Sequence, residues 1–216
     1  MSDIFKRSLG FYIPFLIFVV LGGLHLLFQY TQGYWVMWFC ENFNQQRYDL
    51  FSWFTLLGEP QVLVPIALLL FLLNFGKGVF VFSTWLVASL ITIILKGIIA
   101  NHRPAFYFKD LIVSCAGEIE LWFNLSTPSG HTTAAFAFFA SLAILSKKTY
   151  LQFIFFIIAL LAGLSRMVLF MHFFYDVYLG AIIGSVSAAF MLYSLQSYQK
   201  FGYMKWKDKS LMDFTK

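Results

Sequence analysis

Residues 165–176 read Ser-Arg-Met-Val-Leu-Phe-Met-His-Phe-Phe-Tyr-Asp and lie inside an apolar run that extends over residues 150–193. An Arg or Asp at the centre of a bilayer costs about 2.5–3.5 kcal/mol on insertion scales, so ionisable residues in such a run indicate function by default. His172 and Asp176 are four residues apart, which predicts that they share one helix face and that the carboxylate holds the imidazole. The alternative is a satisfied polar cluster that locks two helices together. Because four polar groups share this segment, we expect a functional site.

The composition is that of an integral membrane protein. Hydrophobic residues make up 60% of the 216 residues and charged residues 12%, against about half and about a quarter in soluble domains. Apolar runs of about 20 residues, enough for a helix to cross a hydrocarbon core of about 30 Å, recur along nearly the whole chain. This pattern predicts one membrane domain, residues 1–216, and no soluble domain. The basic residues are scattered between apolar segments, which excludes a nucleic-acid-binding face.

Six apolar segments predict an all-α bundle of six transmembrane helices. Their expected bounds are 9–28, 60–75, 79–99, 129–146, 150–164 and 173–195. A tight turn is expected at residues 76–78. Residues 34–53 combine aromatic and polar side chains, which is typical of an interfacial belt that lies on the membrane without crossing it. The one long polar connection, residues 101–124, has a length that is usually functional or mobile.

The distribution of basic residues predicts the orientation. With six spans both termini lie on one side, and ten of the fifteen Lys and Arg residues fall there: Lys6, Arg7, Lys77, Lys147, Lys148, Lys200, Lys205, Lys207, Lys209 and Lys216. The positive-inside rule therefore places the termini in the cytoplasm. The other face is then the outer one, periplasmic for a bacterial inner membrane. It holds Cys40 and Cys115, which either pair in an oxidising compartment or remain thiols.

The same topology predicts that the ionisable residues of the spans converge. In an up-and-down bundle, the ends of the third and fifth spans and the starts of the fourth and sixth spans lie at one face. Those positions hold Lys96, Arg103, His131, Arg166, His172 and Asp176. Three cations beside one carboxylate that is committed to a histidine form a site for a small dianion. Arg offers forked donors that match phosphate oxygens, and Lys offers a point charge.

The stretch Pro-Ser-Gly-His at residues 128–131 has two interpretations. A Gly-containing helix start directs free N–H groups at an anion, whereas Ser129 could also be an ordinary helix cap. No set of carboxylate, Cys or His residues has metal-ligand spacing, so we expect neither a metal nor another cofactor. The three cations would supply the charge stabilisation that a metal ion supplies elsewhere.

Three motifs occur together and in order: Lys96 with Arg103-Pro104, the Pro-Ser-Gly-His stretch, and Ser165-Arg166 with His172 and Asp176. This set resembles the three-part signature of the type 2 phosphatidic acid phosphatase (PAP2) superfamily, and the six-span layout extends the likeness to most of the chain. The resemblance implies a helical membrane enzyme that acts on lipid phosphates or diphosphates at the outer leaflet without a metal.

The resemblance also implies a role for each residue. His172 would be the nucleophile that forms a phosphohistidine, Asp176 its orienting partner, and His131 the acid that protonates the leaving oxygen. The phosphoryl oxygens would be held by Lys96, Arg103, Ser129, the Gly130 amide and Arg166.

The sequence therefore predicts a phosphatase that removes a terminal phosphate from a lipid in the membrane. Undecaprenyl diphosphate, phosphatidylglycerol phosphate, phosphatidic acid and a lipid A phosphate are all compatible substrates, and the oligomeric state is left open. Two alternatives remain. A phosphotransferase would pass the phosphoryl group from the same phosphohistidine to a lipid acceptor, and a non-catalytic anion channel or lipid-binding component would keep only the phosphate site.

Reporters fused after Lys216 test the predicted orientation. A fluorescent protein that matures only in the cytoplasm should fluoresce there, and alkaline phosphatase at the same position should be inactive, because basic ends stay in the cytoplasm. Both signals are measured in intact cells. The reverse pair of signals would place the predicted phosphate site on the cytoplasmic side.

Overall fold

The computed structural model describes residues 8–28, 31–117 and 120–197. Within these residues the chain forms nine α-helices: α1 (Leu9–Phe28), α2 (Tyr34–Asn42), α3 (Gln45–Thr55), α4 (Pro60–Leu73), α5 (Phe75–Ile99), α6 (Pro104–Ala116), α7 (Gly130–Leu145), α8 (Thr149–Val168) and α9 (Phe174–Ser197). A short 3₁₀ turn, Leu56–Gly58, joins α3 to α4. The all-helical prediction is confirmed for this part of the chain. Lys6, Arg7 and the basic tail from Lys200 onwards, which the orientation prediction uses, lie outside it.

Helix α7 is the centre of the bundle. Its sequence combines small and aromatic residues, and 11 of its 16 residues are buried. It packs against α5, α8 and α9. Phe136 of α7 contacts Phe11 of α1 and Phe156 of α8 edge-on, which is a favourable geometry for aromatic rings. The hydrophobic core of the bundle therefore surrounds α7.

Five helical stretches are long and apolar enough to cross a membrane: Leu9–Phe28, Gln45–Leu73, Phe75–Ile99, Thr149–Val168 and Phe174–Leu195. The remaining predicted span corresponds to α7, whose 16 residues extend about 24 Å at 1.5 Å per residue, less than a hydrocarbon core of about 30 Å. Exactly six full-length spans are therefore not confirmed in the described residues. Because other helices surround α7, it does not have to match the lipid thickness alone.

Two predicted helix boundaries are wrong. The expected turn at residues 76–78 lies in the first turn of α5, because the Asn74 side chain caps the helix by accepting a hydrogen bond from the Lys77 N–H at 2.9 Å. The fifth predicted span ended at residue 164, but α8 extends to Val168. Arg166 therefore lies in the last turn of a helix and does not follow it.

The long polar connection at residues 101–124 is also not structureless, because it contains α6. This helix starts with Pro104, a favourable residue for a first helical turn. It buries Ile112 and Ala116 in a second apolar cluster, which includes Phe39 of α2 and Tyr48 of α3. Helices α2, α3 and α6 thus form a cap over one end of the bundle.

A disulfide bond joins Cys40 of α2 to Cys115 of α6. Of the two states that the sequence left open, the structure has the paired one. The bond ties together two helices of the cap. Disulfides form and persist in oxidising compartments.

A substitution at Gly184 tests the close packing of α9 against α7. A Cβ at this position would lie 2.5 Å from the Thr133 carbonyl oxygen and 2.7 Å from the Ala137 nitrogen, both backbone atoms of α7. Gly184→Ala should therefore separate the two helices and destabilise the fold by about 1–3 kcal/mol. The measurement is thermal unfolding of the protein in detergent.

Gly97→Ala is the matched control. It adds the same methyl group to helix α5, where no atom lies within 4 Å of the new Cβ, and Ala is the better helix former. Its melting temperature should equal or exceed that of the wild type. Equal melting temperatures for the two variants would contradict the close contact between α7 and α9.

Candidate active site

A cavity of about 600 Å³ lies where the ends of α5 and α8 meet the starts of α7 and α9. Six of the eight residues predicted for the site line it: Lys96, Arg103, Gly130, His131, Arg166 and His172. Asp176 lies behind His172, and Ser129 is buried at the start of α7. The structure thus brings residues from four separate helix ends to one cavity.

His172 lies between the cavity and Asp176. Its Nδ1 is 3.5 Å from Asp176 Oδ2, and both side chains are buried. Because Nδ1 faces the carboxylate, Nε2 is the ring nitrogen left for the cavity. The contact does not arise from a shared helix face, as the four-residue spacing predicted, since α9 begins only at Phe174. Asp176 accepts a hydrogen bond from the Phe173 N–H at 2.9 Å, and this N-terminal cap brings the carboxylate to the imidazole.

Two hydroxyl groups that the sequence interpretation missed complete the surroundings of Asp176. Ser126 Oγ donates to Asp176 Oδ2 at 2.5 Å, and Thr127 Oγ1 donates to Oδ1 at 2.5 Å. A buried carboxylate is tolerated when hydrogen bonds replace its hydration, and these donors do so. The only signal in the sequence was their position directly before the Pro-Ser-Gly-His stretch.

Lys96 and Arg103 hold the segment that leads into α7. Lys96 Nζ donates to the carbonyl oxygen of Leu125, and Arg103 Nε donates to that of Asn124 at 2.8 Å. Both side chains also line the cavity. The two cations therefore shape the entrance of α7 and add positive charge to the cavity.

Arg166 has unused hydrogen-bonding capacity. Its side chain is 7% exposed, one terminal nitrogen donates to Thr55 Oγ1 at 2.5 Å, and Nε has no acceptor among the described residues. A buried donor without an acceptor is unfavourable by about 1–3 kcal/mol, more for a charged group. An anion in the cavity would supply the missing acceptor.

The N-terminus of α7 reaches the cavity at Gly130. Ser129 is fully buried and caps the helix: its oxygen accepts hydrogen bonds from Thr132 Oγ1 at 2.9 Å and from the Thr132 N–H at 3.4 Å. This is the capping role that the sequence left as an alternative. A contact between Ser129 and a phosphoryl oxygen stays a prediction. The first N–H groups of α7 still offer an anion site at the cavity.

His131 faces a carboxylate from another part of the chain. Its Nε2 lies 3.7 Å from Oε1 of Glu59, the residue directly before α4. Glu59 is not among the residues that the sequence predicts for the site. No pattern in the sequence links the two positions, because the contact depends on how the 3₁₀ turn packs on α7.

Helix α3 forms a polar wall of the cavity. The lining residues that it contributes are Gln45, Tyr48, Asp49, Ser52 and Thr55. They recur every three or four residues and so share one helix face. This spacing was the available signal, but residues 34–53 were interpreted only as an aromatic belt on the membrane.

The other two histidines do not line the cavity. His25 Nε2 accepts a hydrogen bond from Trp35 Nε1 at 3.2 Å. His102 Nδ1 lies 2.9 Å from Asn124 Oδ1, and its ring stacks on Phe106 at 3.9 Å between centroids. Both residues contribute to packing and to hydrogen bonding outside the site.

The protonation state of His172 suits a nucleophile. Burial lowers the pKa of His172 below its usual value of 6.5, although the hydrogen bond to Asp176 acts in the opposite direction. The imidazole is therefore neutral at pH 7 and keeps a lone pair. Burial also lowers the pKa of Arg103, but a guanidinium remains charged at neutral pH.

No group of three or more His, Cys, Asp or Glu residues in the described part of the chain is arranged to hold a metal ion. The expectation that the protein uses neither a metal nor another cofactor stays a prediction.

The fold and the cavity together define a helical membrane protein in which cationic and histidine side chains gather at one cavity. The sequence model of the PAP2 superfamily matches residues 77–200, which is more than half of the 216 residues, and the chain belongs to this superfamily. The resemblance inferred from the three motifs is confirmed.

Among solved structures, the chain is similar to LpxE of Aquifex aeolicus, with a TM-score of 0.63 and 26% sequence identity over 72% of this chain and 90% of that one. No curated protein sequence matches the chain. The family and the similarity to LpxE point to a lipid phosphatase.

Thr127→Val tests the surroundings of Asp176. The substitution keeps the side-chain shape and removes the hydroxyl that donates to Oδ1, so it should destabilise the protein by about 1–3 kcal/mol. Thermal unfolding in detergent measures the change.

Thr84→Val is the control for this substitution. Thr84 is also buried, but its hydroxyl donates to the Phe80 carbonyl of its own helix, which keeps its backbone partner when the hydroxyl is lost. Its effect should stay below about 0.5 kcal/mol. An equal loss in both variants would show that the hydroxyl of Thr127 has no special relation to the buried charge.

Proposed function

We propose that this protein is an integral membrane lipid phosphate phosphatase that removes the terminal phosphate of a lipid monophosphate or diphosphate through a phosphohistidine at His172. The observation that carries the proposal is the cavity itself. It combines a neutral imidazole, whose Nδ1 faces a buried carboxylate, with an Arg166 guanidinium whose Nε lacks an acceptor among the described residues. This arrangement supports both the binding of a phosphate and an attack on it.

In the first step, His172 Nε2 attacks the phosphorus atom. A bond between Nε2 and phosphorus forms while the bond from phosphorus to the lipid oxygen breaks, and His131 gives its proton to that oxygen. Asp176 keeps the proton of His172 on Nδ1 and stabilises the positive charge that develops on the ring, as carboxylates do in other nucleophile–base pairs. The dephosphorylated lipid then leaves.

In the second step, water attacks the phosphohistidine. His131, now neutral, accepts a proton from the water as the new bond from oxygen to phosphorus forms and the bond to Nε2 breaks. Inorganic phosphate leaves, and both histidines return to their starting states. An imidazole suits both directions of proton transfer.

The three cations at the cavity stabilise the transition state in this proposal. Phosphoryl transfer passes through a loose transition state with charge spread over the equatorial oxygens. Lys96, Arg103 and Arg166 line the same cavity as His172, and the Gly130 N–H adds a helix N-terminus. Fixed charges of this kind perform the electrostatic task of a metal ion. We therefore propose that the reaction is independent of metal ions.

The proposed site faces the outside of a bacterial inner membrane. The charge distribution along the sequence supports cytoplasmic termini. The disulfide between Cys40 and Cys115 lies in the cap on the same side of the bundle as the cavity, and disulfides belong to oxidising compartments such as the periplasm. The two arguments are independent and favour the same orientation.

His172→Ala tests the proposed chemistry. Release of inorganic phosphate by the purified protein is measured in detergent against a panel of lipids: undecaprenyl diphosphate, phosphatidylglycerol phosphate, phosphatidic acid and a lipid A phosphate. The variant should lose at least about 1,000-fold in kcat, because no other group can form the covalent intermediate. His102→Ala removes an imidazole outside the cavity and should retain activity. Turnover by His172→Ala would refute the proposed nucleophile.

Chelation tests the proposed independence from metals. Wild-type turnover should continue in excess EDTA and should be inhibited by vanadate, which adopts the geometry of the phosphoryl transition state. Loss of activity in EDTA that magnesium restores would contradict this part of the proposal. Substrate dephosphorylation that requires an acceptor lipid, with the phosphoryl group recovered on that lipid and no inorganic phosphate released, would instead identify the phosphotransferase.

A further inference from the structure

Glu59 faces the proposed proton donor within the cavity. Its Oε1 lies 3.7 Å from His131 Nε2, and both residues line the cavity. This distance exceeds that of a good hydrogen bond, which is about 2.7–3.2 Å. The carboxylate therefore acts on the imidazole through its charge, and a proton on Nε2 is not locked to the carboxylate.

The backbone holds Glu59 at the mouth of the cavity. Its N–H donates to the Leu56 carbonyl at 3.0 Å, and its own carbonyl accepts from the N–H groups of Val62 and Leu63, each at 3.0 Å. The Glu59 side chain makes no capping hydrogen bond to α4. Its carboxylate is thus available to the cavity while its main chain is fixed.

Close packing also fixes the relation of Glu59 to His131. A Cβ at Gly58, the neighbouring residue, would lie 2.8 Å from the His131 carbonyl oxygen. Only glycine permits this approach of the 3₁₀ turn to the start of α7. The contact between the two backbones therefore fixes the main chain of Glu59 relative to that of His131.

The cations around His131 oppose its protonation. Lys96, Arg103 and Arg166 line the same cavity, as does the His172 ring, while the other carboxylates at the cavity are Asp49 and Glu120. A general acid must carry its proton on the atom that faces the leaving oxygen. Positive neighbours disfavour that proton, and an adjacent carboxylate favours it.

We propose that Glu59 is a positioning residue that keeps the proton of His131 on Nε2 and so prepares His131 as the general acid. This inference rests on the proposed phosphatase function. In the first step the proton moves from Nε2 to the lipid oxygen as the bond from phosphorus to oxygen breaks. In the second step Nε2 recovers a proton from the attacking water. Glu59 exchanges no proton and acts only through its charge.

Glu59→Gln distinguishes this role through the leaving group. The full-length protein is purified in detergent, and kcat/KM is measured for phosphatidic acid, whose alkoxide must be protonated as it leaves, and for p-nitrophenyl phosphate, whose phenolate leaves unprotonated. The value for phosphatidic acid should fall by at least about tenfold and the value for p-nitrophenyl phosphate by less than about threefold, because general acid catalysis contributes about 10²–10⁴ only where a proton is needed. The alkaline limb of the pH profile for phosphatidic acid should move to lower pH.

Asp49→Asn is the matched control. It removes an equal charge from the same cavity, but Asp49 accepts a hydrogen bond from Gln45 Nε2 at 3.0 Å instead of facing His131. Asp49→Asn should change kcat/KM by the same factor for both substrates. Glu59→Asp should recover part of the loss, and Glu59→Gln should have no further effect in a His131→Ala background.

The outcomes separate this inference from the proposed function. If the wild type releases phosphate from no lipid of the panel and none from p-nitrophenyl phosphate, the phosphatase proposal fails and the role of Glu59 fails with it. If the wild type is active and Glu59→Gln lowers kcat/KM equally for both substrates, or lowers it for neither, only the role of Glu59 is refuted. An unchanged melting temperature of Glu59→Gln excludes misfolding as the cause of a selective loss.

Discussion

A buried carboxylate determines how the starts of α7 and α9 fit together. Asp176 is 1% exposed, and a charge at such a position requires several hydrogen bonds. Two donors, Ser126 and Thr127, precede α7, and a third, the Phe173 N–H, precedes α9. The Ser129 N–H also donates to the Asp176 carbonyl at 3.0 Å. The two helix starts cannot separate without leaving this charge uncompensated, so the need to satisfy Asp176 also fixes the position of His172.

The short join between α8 and α9 connects the proposed nucleophile, His172, to the proposed anion-binding residue Arg166. The Arg166 carbonyl accepts hydrogen bonds from the N–H groups of Met171 and His172 at 2.9 and 3.1 Å, while the Arg166 guanidinium lines the cavity. The backbone of one residue therefore holds the loop that carries His172, and its side chain lines the cavity where we propose that the phosphate binds. A rigid loop of this kind keeps a nucleophile and a binding group within the small tolerance that catalysis requires.

Site residues were predictable from the sequence where their position follows from a helix end. Lys96 and Arg166 close apolar runs and His131 opens one, so the up-and-down order alone predicts that they meet. Residues whose position depends on packing between distant segments were not predictable. Glu59 reaches His131 only because a 3₁₀ turn packs on α7, and the polar face of α3 becomes a cavity wall only because the cap covers the bundle. The pairing of the two cysteines depended in the same way on the contact between α2 and α6.

The length of α7 determines the depth of the site. At about 24 Å this 16-residue helix is shorter than a hydrocarbon core of about 30 Å, while its neighbours α5 and α8 have 25 and 20 residues. If the end of α7 at Leu145 lies at one membrane boundary, its start at Gly130 lies below the other. The anion site at that start is then recessed from the aqueous phase. A phosphate attached to a membrane lipid can reach this depth while its chains stay in the bilayer, which connects the short central helix to the proposed lipid substrate.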